Sequence, residues 1–128
     1  MNRTLLQVHA VAAWVFVASI IVQVLLIGLA IPELGGSNDF SAHMNVGYWI
    51  GLIVLVELLT AVIARAGRTS ISTSLGLLVL YVVQTSLPAF KGSMPWISAL
   101  HPVLALVLFT MAAWYARRAW RASSVAAA

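Results

Sequence analysis

The chain of 128 residues contains no cysteine, and only 8% of its residues are charged. Without cysteine, neither a disulfide frame nor a thiolate metal site is possible. Soluble domains carry about 25% charged residues, so the shortage of charge points to lipid rather than water as the surrounding solvent. Acidic residues are the scarcest of all: Glu33, Asp39 and Glu57 are the only three, against seven basic residues, giving a net charge of +4. A basic balance is one mark of nucleic-acid binding, but here the basic residues follow a different rule. What fills the chain is apolar, with 62% hydrophobic residues.

A membrane-spanning helix needs about 20 mostly apolar residues. Four stretches qualify, at about 5–31, 42–64, 71–89 and 97–116, and they use nearly the whole chain as a single membrane domain. Arg3 precedes the first, Arg65 and Arg68 separate the second from the third, and Arg117, Arg118 and Arg121 follow the fourth. Only Lys91 falls in the other loops, beside Glu33 and Asp39. The positive-inside rule then predicts both termini in the cytoplasm, for a protein of a bacterial plasma membrane, and leaves no charge pattern for nucleic acid. Met1-Asn2-Arg3 followed by Gly28-Leu29-Ala30 has some look of a signal peptide, but the apolar run is too long, so an uncleaved span is expected. Trp96 at the outer boundary and Trp114, Tyr115 and Trp120 at the inner one fit an interfacial aromatic belt.

The chain also repeats itself. An apolar helix carrying a late glutamine, an outer loop and a helix that opens with histidine occur once as Gln23 to His43 and again as Gln84 to His101. A duplication without inversion packs about a pseudo-twofold axis along the membrane normal. The predicted fold is therefore all-α, an integral membrane four-helix bundle of two repeated helical hairpins, N-in and C-in, with equivalent residues facing each other at equal depth.

That geometry suits a haem iron with two axial imidazoles, held between facing helices. His43 and His101 are the expected ligands. Gly47, Gly51 and Ala105 lie one or two turns inward on the same helix faces, where small residues leave room for a macrocycle, and Gln23 and Gln84 supply interhelical hydrogen bonds or reach the haem edge. Small residues four apart also serve simple close packing of membrane helices. The alternative from another class is thus a haemless structural or accessory subunit of a larger complex, its histidines hydrogen-bonded between helices. Zinc or copper is a weaker candidate, because no third or fourth ligand stands beside the pair.

Glu57 follows His43 by 14 residues, about 21 Å along a helix. An ionisable residue at that depth is a functional candidate, with a proton or quinone role set against hydrogen-bonded packing. His9 has no repeat partner, since its counterpart falls near Ser70 to Ser72; an interfacial position is expected for it, with a pairing to Glu57 left open.

The paired hairpins, with histidines opening helices two and four and Leu100-His101-Pro102-Val103-Leu104-Ala105-Leu106 near the end, resemble one four-helix half of the haem A synthase family. They also resemble an uncharacterised family of small four-helix bacterial membrane proteins. The resemblance covers about residues 12–118 and implies that His43 and His101 are the axial pair of one haem site. In the synthase half that oxidises its haem, a glutamate stands three residues before the helix-two histidine and an arginine just after it. Here those places hold Phe40 and Met44, and Asp39 is one position early. The resemblance therefore implies the electron-carrying half: a b-type cytochrome with one haem b, an electron carrier rather than an enzyme. The expected partners are the lipid bilayer, a quinol or a redox protein, and a second copy of the chain.

Overall fold

The structure, a computed structural model, describes residues 3–125. Helix α1 spans Arg3–Ala30, α2 Ser41–Ile63, α3 Arg68–Ser86, α4 the single turn Pro95–Ser98, and α5 Leu100–Val125. Among the described residues there is no strand. Four of these segments, Arg3–Ala30, Ser41–Ile63, Arg68–Phe90 and Pro95–Val125, are long and apolar enough to cross a membrane. The outward-facing surface is correspondingly apolar, with Val24, Leu25, Leu29 and Ile63 about 60% exposed. Helices apolar on every side belong in lipid, and the chain is an integral membrane protein built as a four-helix bundle.

Local chemistry sets where each helix stops. Pro32 holds the preceding Ile31 in an extended conformation, ψ 118°, which ends α1. The chain then folds back on itself, with the amides of Ser37 and Asn38 donating to the carbonyls of Leu29 and Ala30. Gly36 sits so close beneath this return that a Cβ would lie 2.6 Å from the Leu29 and Ile31 carbonyl oxygens, so only glycine fits. Asp39 Oδ1 accepts the Ser41 N–H at 2.9 Å and starts α2; that hydrogen bond holds the Asp39 carboxyl below the usual carboxylate range. Asp39 is thus a helix-starting residue at the surface. Between α2 and α3, Arg65 and Gly67 both take positive φ, 51° and 91°, and the turn closes with Ala66 N–H donating to the Ala61 carbonyl.

The fourth helix runs farther than the expected end at 116. It continues through Arg117, Arg118 and Arg121 to Val125, because alanine and arginine are among the best helix formers and neither glycine nor proline interrupts them. The last three alanines of the chain lie outside the described residues.

The helices form a ring in which α1 packs against α2 and α5, and α3 packs against the same two. The diagonal pairs, α1 with α3 and α2 with α5, are the repeat-related ones, so the bundle has the pseudo-twofold arrangement that the duplication predicts. Small buried residues, Ala13 on α1 and Ala112 and Ala116 on α5, let two helices approach closely. Phe16, Val54, Leu77, Leu108 and Tyr115 fill the centre.

Gly51 marks the tightest of these contacts. A Cβ there would lie 3.2 Å from the Tyr81 ring, and Tyr81 cannot easily yield because its hydroxyl donates to the Gly47 carbonyl. Gly51→Leu is therefore expected to destabilise the bundle by about 1–3 kcal/mol, the usual cost of overpacking. Gly28→Ala, at a helical position with nothing within 4 Å, is expected to leave stability unchanged or raise it. Unfolding of both variants in the same detergent checks the contrast.

Candidate functional site

Two polar layers cross the interior. The first lies at the end of the bundle opposite the arginines. His43 opens α2 and His101 opens α5, and their rings approach across the bundle diagonal with centroids 6.3 Å apart and planes inclined at 77°. Both histidines are half-buried.

In each ring Nδ1 faces the glutamine of the preceding helix. His43 Nδ1 lies 3.2 Å from the Gln23 backbone carbonyl, and His101 Nδ1 lies 2.8 Å from that of Gln84. A carbonyl oxygen can only accept, so His101 Nδ1 carries the proton and its Nε2 keeps its lone pair. Among the described residues no hydrogen bond reaches Nε2 of either ring. For His101 this is the arrangement of a metal-binding imidazole, one nitrogen donating to a carbonyl and the other left free.

The glutamine side chains complete the repeat. Gln84 Nε2 donates to the His101 carbonyl at 2.7 Å. Gln23, with its amide nitrogen turned toward His43, donates to that ring's Nδ1 at 2.7 Å and to the His43 carbonyl at 3.0 Å, while its oxygen accepts from Gly47 N–H at 2.7 Å; His43 Nδ1 is then an acceptor and the ring proton sits on Nε2. Each helix carrying a histidine is thus tied to the preceding helix through side chain and backbone alike. One polar atom departs from this pattern: Gln84 Oε1 is buried without a partner, whereas the Gln23 oxygen accepts from Gly47 N–H. Pro102 lies in the first turn of α5, where its missing N–H removes no helical bond.

The slot expected at Gly47 and Gly51 is not open. A Cβ at Gly47 would meet the Gln23 amide at 3.7 Å, and the face of Gly51 is filled by the Tyr81 ring. The physical reason is that a bare backbone surface in a bundle attracts the nearest side chain that can cover it. Tyr81 thereby forms a floor two turns below His43. Ala105 is half-buried one turn below His101.

The second layer lies at the arginine end, and the structure corrects two expectations there. His9 is 2% exposed rather than interfacial, and Tyr115 is 1% exposed rather than part of an aromatic belt. They bond to each other, His9 Nε2 to Tyr115 Oη at 2.8 Å. Glu57 is fully buried beside them, its Oε1 2.8 Å from Ser74 Oγ and 3.7 Å from His9 Nδ1. Trp114 and Trp120, by contrast, are more than half exposed. Ser74 and Tyr115 carried no motif of their own, yet one signal was available. Tyr115 follows His101 by 14 residues, as Glu57 follows His43, and His9 and Ser70 precede Gln23 and Gln84 by the same interval. Fourteen residues are about four helical turns, so the interval returns to the same face.

Residues 23–90, more than half of the chain, match the family described as a family of unknown function, DUF6220. The chain belongs to that family. No curated protein and no solved structure matches it. The DUF6220 segment contains Gln23, His43, Gly47, Gly51, Glu57, Ser74, Tyr81 and Gln84, and ends before His101 and Tyr115. It therefore holds the first glutamine–histidine unit whole, and the glutamine of the second. No group of three or more histidine, cysteine, aspartate or glutamate side chains suited to a bare metal ion exists among the described residues.

The tautomer assignment is directly testable. In cofactor-free protein, 15N NMR is expected to show His101 protonated at Nδ1 and His43 protonated at Nε2. Protonated Nε2 on His101, or protonated Nδ1 on His43, would contradict the assignment.

Proposed function

We propose that the chain is a membrane cytochrome of b type that holds one haem between His43 and His101 for one-electron transfer. The observation that carries this reading is the matched pair of imidazoles meeting across the bundle, each with Nδ1 turned to the glutamine of the preceding helix and with no hydrogen bond at Nε2 among the described residues. With the usual metal–imidazole bond of about 2.0 Å on each side, two rings flanking one metal have centroids about 6 Å apart, close to the 6.3 Å found here. The donor set fits haem better than a bare ion, because two nitrogens alone leave zinc or copper short of ligands. The resemblance to one half of the haem A synthase family supports the same assignment.

Within this reading each residue has a definite task. His43 and His101 would hold the haem iron through their imidazole nitrogens, and a haem held so would serve one-electron transfer. Gln23 and Gln84 orient the imidazoles, and the Gln84 carbonyl makes that of His101 a better donor. Gln84 Oε1, buried and unpartnered, is the protein atom available to a polar edge of the group. Tyr81, covering Gly51, bounds the site on its inner side. The bound haem supplies a one-electron iron couple. Half-buried histidines near the bundle end keep that couple within reach of a redox partner outside, whether a quinol or a protein. A homodimer of this chain would have the eight helices of the two-half synthase form.

One observation favours the haemless accessory subunit: the histidines already join helices through hydrogen bonds. Absorption spectra of the purified protein, oxidised and then reduced with dithionite, separate the two readings. The cytochrome is expected to show sharp paired visible bands on reduction, at one haem per chain, that disappear in both His43→Ala and His101→Ala. Protein that is colourless and takes up no added haem leaves the accessory subunit.

Orientation belongs to the same proposal. The six arginines cluster at one end, and Lys91, Glu33 and Asp39 at the other, a distribution that supports cytoplasmic termini by the positive-inside rule. Since the chain has no cysteine, single cysteines report cleanly. Gly92→Cys is expected to react with an impermeant thiol reagent in intact cells, and Ser124→Cys only after lysis. The reverse pattern would invert the topology.

A further inference from the structure

The layer at the arginine end draws one side chain from each of the four long helices: His9 from α1, Glu57 from α2, Ser74 from α3 and Tyr115 from α5. All four are at most 4% exposed, and their polar atoms form one continuous chain. Glu57 Oε1 lies 2.8 Å from Ser74 Oγ, Ser74 Oγ lies 3.0 Å from Tyr115 Oη, and Tyr115 Oη lies 2.8 Å from His9 Nε2. His9 Nδ1, at the far side of the ring, meets Thr60 Oγ1 at 3.2 Å. Because the Thr60 hydroxyl donates to the Glu57 carbonyl, it accepts from His9 Nδ1–H, and this leaves His9 Nε2 as an acceptor.

The two inner links are hydroxyls, which can each give one proton and take another. The two ends are an acid and a base, and the chain nearly closes, with His9 Nδ1 3.7 Å from Glu57 Oε1. Among the described residues this is the one acid–base approach within 4.0 Å. The titratable and charged groups of the surrounding elements are few. Arg3 on α1, Arg65 and Arg68 around the α2–α3 turn, and Arg117 on α5 lie toward the same end without pairing to Glu57, while Arg118 covers the Trp114 ring. Glu57 Oε2 is buried with no partner at all.

We propose that His9, Tyr115, Ser74 and Glu57 form a proton relay inside the bundle, in which a single proton is exchanged between the carboxyl and the imidazole. In the transfer, the Glu57 Oε1–H bond breaks as Ser74 Oγ takes its proton. Ser74 passes its own proton to Tyr115 Oη, and Tyr115 passes its own to His9 Nε2. His9 then carries protons on both ring nitrogens and Glu57 is a carboxylate. Both hydroxyls are restored and no electron moves. The ligand of this site is the proton itself.

Comparison with the other layer sharpens the point. The same interval of 14 residues connects Gln23 to His9, Gln84 to Ser70, His43 to Glu57 and His101 to Tyr115. The histidine layer keeps the twofold pattern, glutamine with histidine twice. In the relay layer the equivalent positions differ, His9 against Ser70 and Glu57 against Tyr115; Ser70 contributes its carbonyl, 3.0 Å from Ser74 Oγ and 3.2 Å from Tyr115 Oη, and the serine hydroxyl of the relay comes from Ser74, one turn on. Buried polar groups that served only to join helices have no need of this difference. The relay lies about 21 Å of helix from the histidine pair and stands whether or not haem binds.

Infrared spectroscopy of the full chain in detergent, transferred from H2O to D2O, tests it. A carboxylic C=O band lost in Glu57→Gln is expected, shifting as its proton exchanges. In Ser74→Ala and in Tyr115→Phe, each of which removes one hydroxyl with little change in volume, that shift is expected to slow by about tenfold or more, as a modest added barrier dictates. Thr73→Ala, whose hydroxyl bonds only to the Thr69 carbonyl, is expected to match the unmodified chain. Backbone amide exchange in α2 should stay unchanged in all three, which separates the relay from local opening. Absence of any Glu57-dependent carboxylic band between about pH 4 and 10, a range spanning ordinary acid and base values, would overturn the proposal. So would exchange as fast in both hydroxyl variants as in the unmodified chain, for the cluster would then be a static joint.

Discussion

The contact between an imidazole Nδ1 and the glutamine of the preceding helix, made once in each hairpin, is the one on which the rest of the structure depends. In lipid there is no water to satisfy a polar group that the protein leaves unpaired. A histidine near the start of a membrane helix must therefore find its partner on a neighbour, and here the partner is the glutamine of the preceding helix. The bond sets the register of α2 on α1 and of α5 on α3, and the glutamine amide returns a second bond to the histidine carbonyl. With both hairpins clamped alike, the two rings meet across the bundle diagonal at equal depth. That neither Nε2 makes a hydrogen bond among the described residues is a consequence of the same clamp.

The same constraint shapes the opposite end. His9 and Glu57 could not remain in a bundle interior without partners, and the partners come from all four helices. The bundle is thus joined by polar contacts near both ends and by apolar packing between them, where Phe16, Leu77 and Leu108 fill the space. Tyr81 bridges the two regions, since its ring packs on Gly51 and its hydroxyl reaches the Gly47 carbonyl. Duplication explains why the layers have matching positions. Divergence after duplication explains why one layer is symmetric and the other is not.

Much of this was legible in the sequence because membrane proteins obey strong rules. The four spans followed from apolar length alone, and the repeat of glutamine and histidine gave the diagonal pairing of helices. The fourth helix ran past its expected end because charge, which marks the membrane boundary, does not stop an α-helix. Gly47 and Gly51 read as an opening because sequence shows where a side chain is missing and not which neighbour will cover the gap. His9 and Tyr115 were misplaced for a related reason: their distance from the chain's apolar centre suggested an interface, whereas burial depended on hydrogen-bond partners 51 and 106 residues away. The 14-residue interval from the outer layer would have identified them as inward-facing.

The most direct test of the central assignment is electron paramagnetic resonance of the oxidised, haem-loaded protein. Two imidazole ligands give low-spin iron, and ring planes inclined at 77° are expected to give the strongly anisotropic low-spin signal of crossed axial rings. His43→Ala and His101→Ala should each abolish it. A high-spin signal alone, or a low-spin signal that survives loss of either histidine, would contradict the account.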